Sequence, residues 1–475
     1  MTRLTSLLVL ALASCAHVTP ECPTHGGETW RELSSAHFVV HTNLGPEAAG
    51  AAALELERAR TALLPSFLGV PTPARPLEVV LFRSVAQLED VTFDALRDGS
   101  IVHDWRGPVM VISSDGSLLE STPQLRLMLH ELAHHYSGQA LRRRPRWLSE
   151  GLSEYLETIT LDADSKMASR GVPNQERLGE VLRWGLLPVD SLWAWDELHD
   201  ERPGLEAHRL ASAWFWVHYL FNEQRAGLEK FFAALGEGQE PRRAWGEVFP
   251  LWTEKAMSDA AAAYVERRNI HTQRIELGVV SAVTSQRVMT DAQVHALLAR
   301  LAASTGRWVR ARAETDAGLA LDPNEPGVRE QQVVLATSRV EAARQLVAAQ
   351  PTLGSGWLLL ALALPEAPER TAALEQALVL EPDAFLALVE LASRRCAEGR
   401  CAEGLALARR AVGLAPDDVR VVASAAAVMA KGGACAEAVS AQRHALELVP
   451  HGAPDAVRAR LSTGLGVIRR DCPAP

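Results

Sequence analysis

The sequence predicts a chain of two parts, an α+β domain followed by an all-α region of helical repeats. Its 475 residues are too many for one ordinary core, and a composition of 48% hydrophobic and 22% charged residues is typical of a folded protein. Up to about residue 275, short apolar runs typical of strands alternate with helical patterns. After residue 280 the chain becomes rich in Ala, Leu and Arg, and Pro-ended segments recur at roughly 30-residue intervals.

Three segments have the apolar pattern of strands, residues 37–42, 77–82 and 109–113. A helix is predicted between the first two, from Pro46 to about residue 64. The Trp-rich stretch at 171–268 is predicted to be mostly helical, with its indole rings in the core rather than at a binding surface.

A pair of histidines four residues apart provides the main chemical signal. In a helix, His130 and His134 lie one turn apart on one face, so two imidazole nitrogens can bind one metal ion. Glu131 projects beside the pair, where a carboxylate can accept a proton from an activated water. The pattern alone leaves open a solvated histidine pair on a surface helix. The adjacent His135 points about 100° away around the helix and is predicted to be a bystander.

Two helices are predicted around this motif. Thr122 as N-cap and Pro123 at the first helical position begin the metal-bearing helix, and Gly138 ends it. The second helix is predicted over residues 147–157. Gly151 costs that helix about 1 kcal/mol relative to Ala, and we expect it to permit close approach to the metal-bearing helix.

The second helix offers a third metal ligand. The sequence W-L-S-E-G at 147–151, following H-E-x-x-H, resembles the gluzincin metallopeptidases. The resemblance implies a thermolysin-like peptidase domain in which His130, His134 and Glu150 bind one zinc ion. It also implies that Glu131 is the general base.

The resemblance also bears on the substrate. The residues themselves exclude the metzincins, whose pattern has Gly and His where this chain has Ser137 and Ala140. The gluzincin resemblance has two further implications. It implies that the strand at 109–113 is the sheet edge to which an extended peptide pairs. Aminopeptidases of this group carry an acid on that strand for the substrate's amine, and residues 107–111 contain none. We therefore expect internal cleavage of peptides.

Three further residues are candidates around the metal. By the same resemblance, Glu154 is expected to orient His130 through a hydrogen bond. The residues themselves leave open a surface acid or an alternative third ligand. An oxyanion needs a donor from the later helices, and Tyr219 and His208 are named from that requirement alone.

The N-terminus has the pattern of an exported lipoprotein. Arg3 precedes an apolar run at 4–13 that is too short to span a bilayer, and the L-A-S-C sequence ending at Cys15 resembles a bacterial lipobox. We expect residues 1–14 to be a signal peptide, Cys15 to be lipidated and residues 15–29 to be a tether. The protein is then anchored in the cell envelope, on the periplasmic face or the surface of a bacterial membrane. A plain secretory signal is the alternative.

Residues 30–275 are predicted to form the peptidase domain and residues 280–475 the repeats. The latter resemble a degenerate tetratricopeptide array, because the last two proline spacings match its 34-residue period and small residues fall where its helices pack. The prolines are Pro323, Pro351, Pro382, Pro416 and Pro450, and the small residues are Ala392, Gly404, Ala411, Ala426, Ala438 and Ala445. Such arrays commonly bind protein partners, although a role as a support for the peptidase domain is left open.

Six cysteines constrain the pairing of thiols. With Cys15 lipidated, an odd number remains, so at least one lacks an intramolecular partner. Cys396 and Cys401 flank one predicted hairpin turn and can bridge it in an oxidising compartment. Cys401 and Cys435 occupy equivalent places in successive repeats, which is too far apart for a disulfide.

The predicted function is that of a zinc-dependent endopeptidase. A net charge of −10 argues against nucleic acid as a partner. The expected partners are a peptide or protein substrate, a protein bound by the repeats, and the membrane through the lipid. The alternative is a non-catalytic, lipid-anchored scaffold that uses its repeats for interaction.

Overall fold

A computed structural model describes residues 22–23, 26–67, 75–92, 99–114, 122–162, 166–195, 204–266, 272–280, 283–365, 368–449 and 455–472. The predicted signal peptide and Cys15 lie outside these residues, as does much of the predicted tether. Within the tether, Cys22 is buried in one apolar cluster with Trp30 and Val80. Among the helices in these ranges, none is long and apolar enough to cross a membrane.

The first part of the chain is built on a six-stranded mixed sheet. The strands of this part are β1 (Arg31–Ser34), β2 (Phe38–Thr42), β3 (Leu77–Phe82), β4 (Gly99–His103), β5 (Pro108–Ser113), β6 (Thr160–Leu161), β7 (Met167–Arg170), β8 (Gln273–Glu276) and β9 (Ser285–Val288). The large sheet has the order β4-β5-β3-β2-β1-β9, and β6, β7 and β8 form a small second sheet. Strands β2, β3 and β5 are parallel, whereas β4, β1 and β9 pair antiparallel. The three predicted strands are confirmed within one residue at each end.

Helices cover both faces of the large sheet. Those of the first part are α1 (Pro46–Leu63), α2 (Val85–Thr92), α3 (Thr122–Ala140), α4 (Arg146–Leu156), α5 (Gln175–Trp184), α6 (Val189–Trp193), α7 (Leu205–Glu223), α8 (Arg225–Gly236), α9 (Pro241–Val248) and α10 (Glu254–Glu266). Because strand residues alternate between faces, Val79 joins the core formed with α1, α3, α4 and α7, whereas Val80 joins a cluster on the opposite face. In its described residues the Trp-rich stretch is mostly helical and its rings are largely buried as predicted, with Trp184 an exposed exception.

The second part is helical throughout the residues that are described. Its helices are α11 (Asp291–Ser304), α12 (Trp308–Leu321), α13 (Pro326–Leu335), α14 (Arg339–Ala349), α15 (Gly354–Ala363), α16 (Pro368–Leu380), α17 (Phe385–Ala397), α18 (Cys401–Leu414), α19 (Val419–Lys431), α20 (Cys435–Glu447) and α21 (Asp455–Asp471). Consecutive helices pack as pairs, in a tetratricopeptide-like array. The turns inside the last two complete pairs contain Gly399 and Gly433, each with a φ of 79°, a conformation that glycine adopts without steric cost.

The predicted contacts between repeat helices are confirmed. All six small residues named above are buried. A Cβ atom added at Gly404 would lie 2.7 Å from the carbonyl oxygen of Ala392, so the two helices approach too closely there for a larger residue. Cys396 and Cys401 form the expected disulfide, and a second disulfide joins Cys435 to Cys472.

The junction between the two parts differs from the predicted boundary. The sheet takes its last strand from residues 285–288, and α11 packs on the sheet face opposite α3. The predicted boundary between residues 275 and 280 therefore falls within the first part. All four side chains of β9 are exposed, so no apolar alternation marks this strand in the sequence. We call residues 30–288 the sheet domain and residues 291–472 the repeat region.

Polar contacts, several of them with a buried carboxylate, join the repeat region to the sheet domain. Asp417 contacts His103 on β4 and His135 on α3, and Glu447 binds Arg143 in the connection between α3 and α4. Further contacts are Arg106–Glu330, Arg300–Glu78, Arg300–Asp104 and Arg420 with the carbonyl of Asp104. The repeat region therefore lies against the elements that carry the candidate site.

Candidate metal centre

Helices α3 and α4 bring three potential ligands to one point. One donor atom each from His130, His134 and Glu150 lies within 4.8 Å of the other two. The two Nε2 atoms are 3.1 Å apart, and that of His134 is 3.7 Å from Glu150 Oε2. Tetrahedral zinc with bonds of about 2.0–2.1 Å separates its ligands by about 3.4 Å, so this donor set fits one zinc ion. In the part of the chain that the structure describes, no other cluster of His, Cys, Asp and Glu has such geometry.

The packing of α4 differs from the prediction at Gly151. A Cβ atom added there would lie 2.6 Å from the carbonyl oxygen of Ala213 and 2.8 Å from Val217 Cγ2, both on α7. The close approach is therefore to α7 and not to the metal-bearing helix, so that prediction was wrong. Neighbouring residues differ by about 100° around a helix, and Glu150 already occupies the side that faces α3.

Both imidazole rings are held from the side away from the other ligands. His130 Nδ1 lies 2.9 Å from Glu157 Oε2, and His134 Nδ1 lies 3.1 Å from Ser149 Oγ. A hydrogen bond at Nδ1 fixes the ring's orientation and leaves the Nε2 lone pair for a metal. The two rings are 21% and 25% exposed, so a substrate can approach them.

The carboxylate beside His130 is that of Glu157 and not the predicted Glu154. Glu154 instead accepts hydrogen bonds from Arg177, at 2.9 Å from Nε and 2.7 Å from Nη2, and from Asn174 at 3.2 Å. Glu157 lies seven residues after Glu150, which is almost two helical turns, so the two acids lie on the same side of the helix. This spacing of seven was the sequence signal for Glu157.

Glu131 is positioned beside the ligands by the sheet. Its carboxylate accepts a hydrogen bond of 3.1 Å from the backbone N–H of Ile101 on β4. Burial raises the pKa of Glu131 to about 6, against the opposing effects of His130 and of the Ile101 N–H. A carboxylate with a pKa near neutrality is suited to general base catalysis.

The electrostatic surroundings favour a cation at the ligand atoms. Burial alone lowers the pKa of His130, but the hydrogen bond and charge of Glu157 and the charges of Glu131 and Glu150 raise it to about 9. Three carboxylates around one partly buried imidazole therefore stabilise positive charge at this point. A site for a divalent cation requires the same field.

The edge of the sheet differs from the prediction. Strand β5 carries the predicted residues 109–113 but is internal, because β4 pairs with its outer side. Among the described strands β4 and β9 are the edges of this sheet, and β4 is the edge beside α3, so that part of the prediction was wrong. The short G-S-I-V-H sequence of β4 has little apolar pattern, which is why it was missed. Since the N–H of Ile101 faces Glu131, the two-residue period turns the backbone of Gly99 and His103 outwards as well.

The two candidate oxyanion donors have other contacts. Tyr219 is buried in an aromatic cluster, with its ring 5.6 Å from that of Trp252 and 5.4 Å from that of Tyr264. The ring of His208 lies at the surface, with Nε2 3.0 Å from the carbonyl oxygen of Gly185. The contacts described for these two residues give neither of them a role at the metal centre.

Comparison with known proteins concerns the helical repeats. No protein-family model and no curated protein matches this chain. The solved structure of TTC0263, a thermophilic TPR protein of Thermus thermophilus, has a TM-score of 0.31 and 21% identity, covering 37% of this chain and 98% of its own. Two structures of MamA each have a TM-score of 0.25, with 17% and 18% identity, covering 33% and 32% of this chain and 91% and 93% of their own. Most of this chain has no counterpart in these structures.

Proposed function

We propose that this protein is a zinc-dependent endopeptidase. The observation that carries the proposal is the convergence of His130, His134 and Glu150 beside Glu131, at the edge of a sheet. Two nitrogen ligands and one carboxylate are the donor set of many catalytic zinc sites, which keep a further position open for water or substrate. A bound zinc ion supplies Lewis acidity that activates water and polarises the scissile carbonyl.

The residues of the chain have separate tasks in this reaction. Glu131 accepts the proton of the attacking water and passes it to the leaving amine. Glu157 and Ser149 keep the two imidazole rings in the orientation that directs Nε2 to the metal. The outer edge of β4 offers backbone groups to an extended peptide, which thereby lies beside Glu131.

The test combines metal content with cleavage. Zinc is measured in the purified protein, and a mixed peptide library is incubated with the protein, with and without a chelator. We expect about one zinc ion per chain and internal cleavage that the chelator abolishes. Absence of both zinc and cleavage overturns the proposal. Release of single N-terminal residues alone contradicts the endopeptidase assignment.

A second function is favoured by the repeat region itself. Stacked helix pairs form extended surfaces that commonly bind proteins, so a non-catalytic scaffold accounts for the helical array without any chemistry at the metal centre. The two functions are separated by the experiment above, because a scaffold has no need for chelator-sensitive cleavage. Binding of a partner protein by a wild-type protein that cleaves no peptide supports the scaffold.

The proposal includes export and lipid anchoring at Cys15. Export is supported by the pair of disulfides in the repeat region, since such bonds persist in oxidising compartments outside the cytosol. The anchor is supported by the L-A-S-C sequence that ends at Cys15. Cys15→Ser should move the protein from the membrane fraction to the soluble fraction of the cell envelope. Unchanged membrane association contradicts the lipid anchor.

A further inference from the structure

Two acidic side chains of the repeat region contact the elements that carry the metal ligands. Glu447 is the last residue of α20, and Asp417 lies in the turn before α19. Their side chains are 16% and 9% exposed, so both carboxylates are largely removed from water. Charges so placed are tolerated when charged or hydrogen-bonding partners surround them.

Glu447 binds the connection between α3 and α4 with both carboxylate oxygens. Its Oε1 atom accepts hydrogen bonds from Arg143 Nε at 2.8 Å and Nη2 at 2.5 Å. Its Oε2 atom accepts from the backbone N–H of Arg144 at 2.9 Å. This connection joins the helix of His134 to the helix of Glu150, so its conformation affects the distance between these two ligands.

The side chain of Arg144 extends this contact to a ligand. Its Nη1 atom donates to the carbonyl oxygen of His134 and to Ser137 Oγ, at 2.7 Å in each case. The backbone of Arg144 therefore contacts the repeat region while its side chain contacts the metal centre.

Asp417 makes a second link. Its Oδ2 atom lies 3.3 Å from His135 Nδ1 and 3.6 Å from His103 Nε2. His135 directly follows the ligand His134, and His103 ends β4, the strand that contacts Glu131. One carboxylate of the repeat region therefore contacts both α3, which carries two of the ligands, and β4, which contacts Glu131.

We propose that the repeat region is a structural part of the metal centre, and that Glu447 and Asp417 are positioning residues for the zinc ligands. The proposal rests on the proposed function, because it takes His130, His134 and Glu150 to bind zinc. When either carboxylate is lost, the ligand side chains are less ordered in the metal-free protein. Part of the free energy of zinc binding is then spent on ordering them, so the affinity for zinc falls. Residues that hold a ligand directly change metal affinity about 10- to 100-fold. We expect about tenfold here, the lower limit, because the contact is less direct.

The test compares zinc affinities by competition with a chromogenic chelator. The purified full chain is measured as wild type, Glu447→Gln and Asp417→Asn, which keep the shape of each side chain and remove its charge. The matched control is Glu437→Gln on the same helix α20, whose partner Arg409 lies within the repeat region. Thermal unfolding of the four metal-free proteins is measured alongside, because a merely structural role lowers the unfolding midpoint without changing zinc affinity.

We expect zinc affinity to fall about tenfold in Glu447→Gln and Asp417→Asn and to stay unchanged in Glu437→Gln. Equal affinities in all four proteins overturn this inference and leave the proposed function intact. A wild-type protein that binds no zinc overturns both. If Glu447→Gln fails to fold, Arg143→Lys replaces it, since lysine keeps the charge and loses the paired bonds to Glu447. Unchanged affinity in that variant also overturns the inference.

Discussion

The sheet domain and the repeat region place their charged side chains differently. Beside the metal centre the acids are buried and share their partners, as Glu157 and Glu154 do with the amide of Asn174. On the outer surface of the repeat region, ion pairs such as Arg344–Glu369 are about half exposed on both sides. Where the repeat region meets the sheet domain, the carboxylates of Glu330, Asp417 and Glu447 are largely buried, although the side chain of Arg420 is 46% exposed.

This difference indicates which interactions fix the side-chain positions in each region. Leaving a buried charge without its partner costs several kcal/mol, so a network of buried charges is kept where it positions something. Exposed pairs contribute about 0–1 kcal/mol each, and the repeat region depends instead on small residues such as Gly404 and Ala392 that let helices approach closely. Buried charge also occurs within the array, as in the pair His295–Glu314, but at the metal centre and the junction it lies between the elements that carry the ligands.

Removal of a ligand is expected to have the largest effect. His134→Ala or Glu150→Ala should reduce the zinc content from about one ion per chain to near zero, because a three-ligand site has no spare ligand. Elemental analysis of the dialysed proteins measures the zinc content per chain. Glu154→Ala is the matched control and should keep its zinc, since that carboxylate binds Arg177. If Glu154→Ala loses zinc and Glu150→Ala keeps it, the ligand assignment is wrong by one helical turn.

The next effect separates metal binding from proton transfer. Glu131→Gln should keep wild-type zinc content and thermal stability, because Glu131 is not a ligand. Its amide cannot accept the water's proton, and loss of a positioned base lowers a rate by about 10² to 10⁴. The measurement is cleavage of the best peptide from the library. Wild-type cleavage by this variant shows that the activity belongs to another site.

Sequence reasoning found the parts of the site that depend on local spacing. His130, Glu131 and His134 follow from helical periodicity, and Glu150 from a sequence motif on the next helix. The position of Glu157 beside His130 depends on how two helices pack, so the sequence suggested a neighbouring acid instead. Asp417 lies hundreds of residues from the site helix, and no local pattern indicates that contact.

The same limit applies to the fold. Strand β3 was predicted at both ends because its apolar run is buried on both faces. Strands β4 and β9 were missed because each lies at an edge of the sheet and has little apolar pattern. Apolar periodicity in a sequence reflects the burial of side chains. An edge strand is held instead by backbone hydrogen bonds that any sequence can make, so its sequence does not need an apolar pattern.

Acid should weaken the junction between the two regions. Burial opposes the charge on Glu447, but the neighbouring His444 and Arg143 lower its pKa to about 2. In the unfolded chain this carboxyl has a pKa near 4.3. Between these values the unfolded state binds more protons, so the stability present above pH of about 4 is lost as pH falls toward about 2.

The measurement is the thermal unfolding midpoint of metal-free protein from pH 7 to pH 3. Glu447→Gln should show a smaller fall in midpoint than wild type, because its amide does not titrate. The use of metal-free protein excludes competition between protons and zinc. Parallel curves for the two proteins contradict the prediction and place the acid sensitivity elsewhere.

Two glycines of α18 test close packing in the repeat region. A Cβ atom at Gly404 would lie 2.7 Å from the Ala392 carbonyl oxygen, whereas one at Gly413 would meet nothing within 4 Å. Gly404→Ala should therefore cost about 1–3 kcal/mol of unfolding free energy through overpacking. Gly413→Ala should add about 0.5 kcal/mol through helix propensity. Denaturant unfolding of both variants measures the sign of the change in unfolding free energy. A change of the same sign in both variants contradicts the packing argument.

The smallest effect is expected for an exposed ion pair of the repeat region. The guanidinium of Arg344 lies 2.9 Å and 3.0 Å from the two carboxylate oxygens of Glu369, but both side chains are about half exposed, at 51% and 52%. Water and salt screen this pair, so Glu369→Gln should change the unfolding free energy by less than about 0.5 kcal/mol, and by less still at high salt. The comparison is the same substitution at Glu154, whose carboxylate is 5% exposed and binds Arg177. Glu154→Gln leaves the largely buried guanidinium of Arg177 without its anion. The expected loss of unfolding free energy is therefore several-fold larger than for Glu369→Gln. Equal losses at the two positions would show that burial does not separate the charges of the sheet domain from those on the surface of the repeat region.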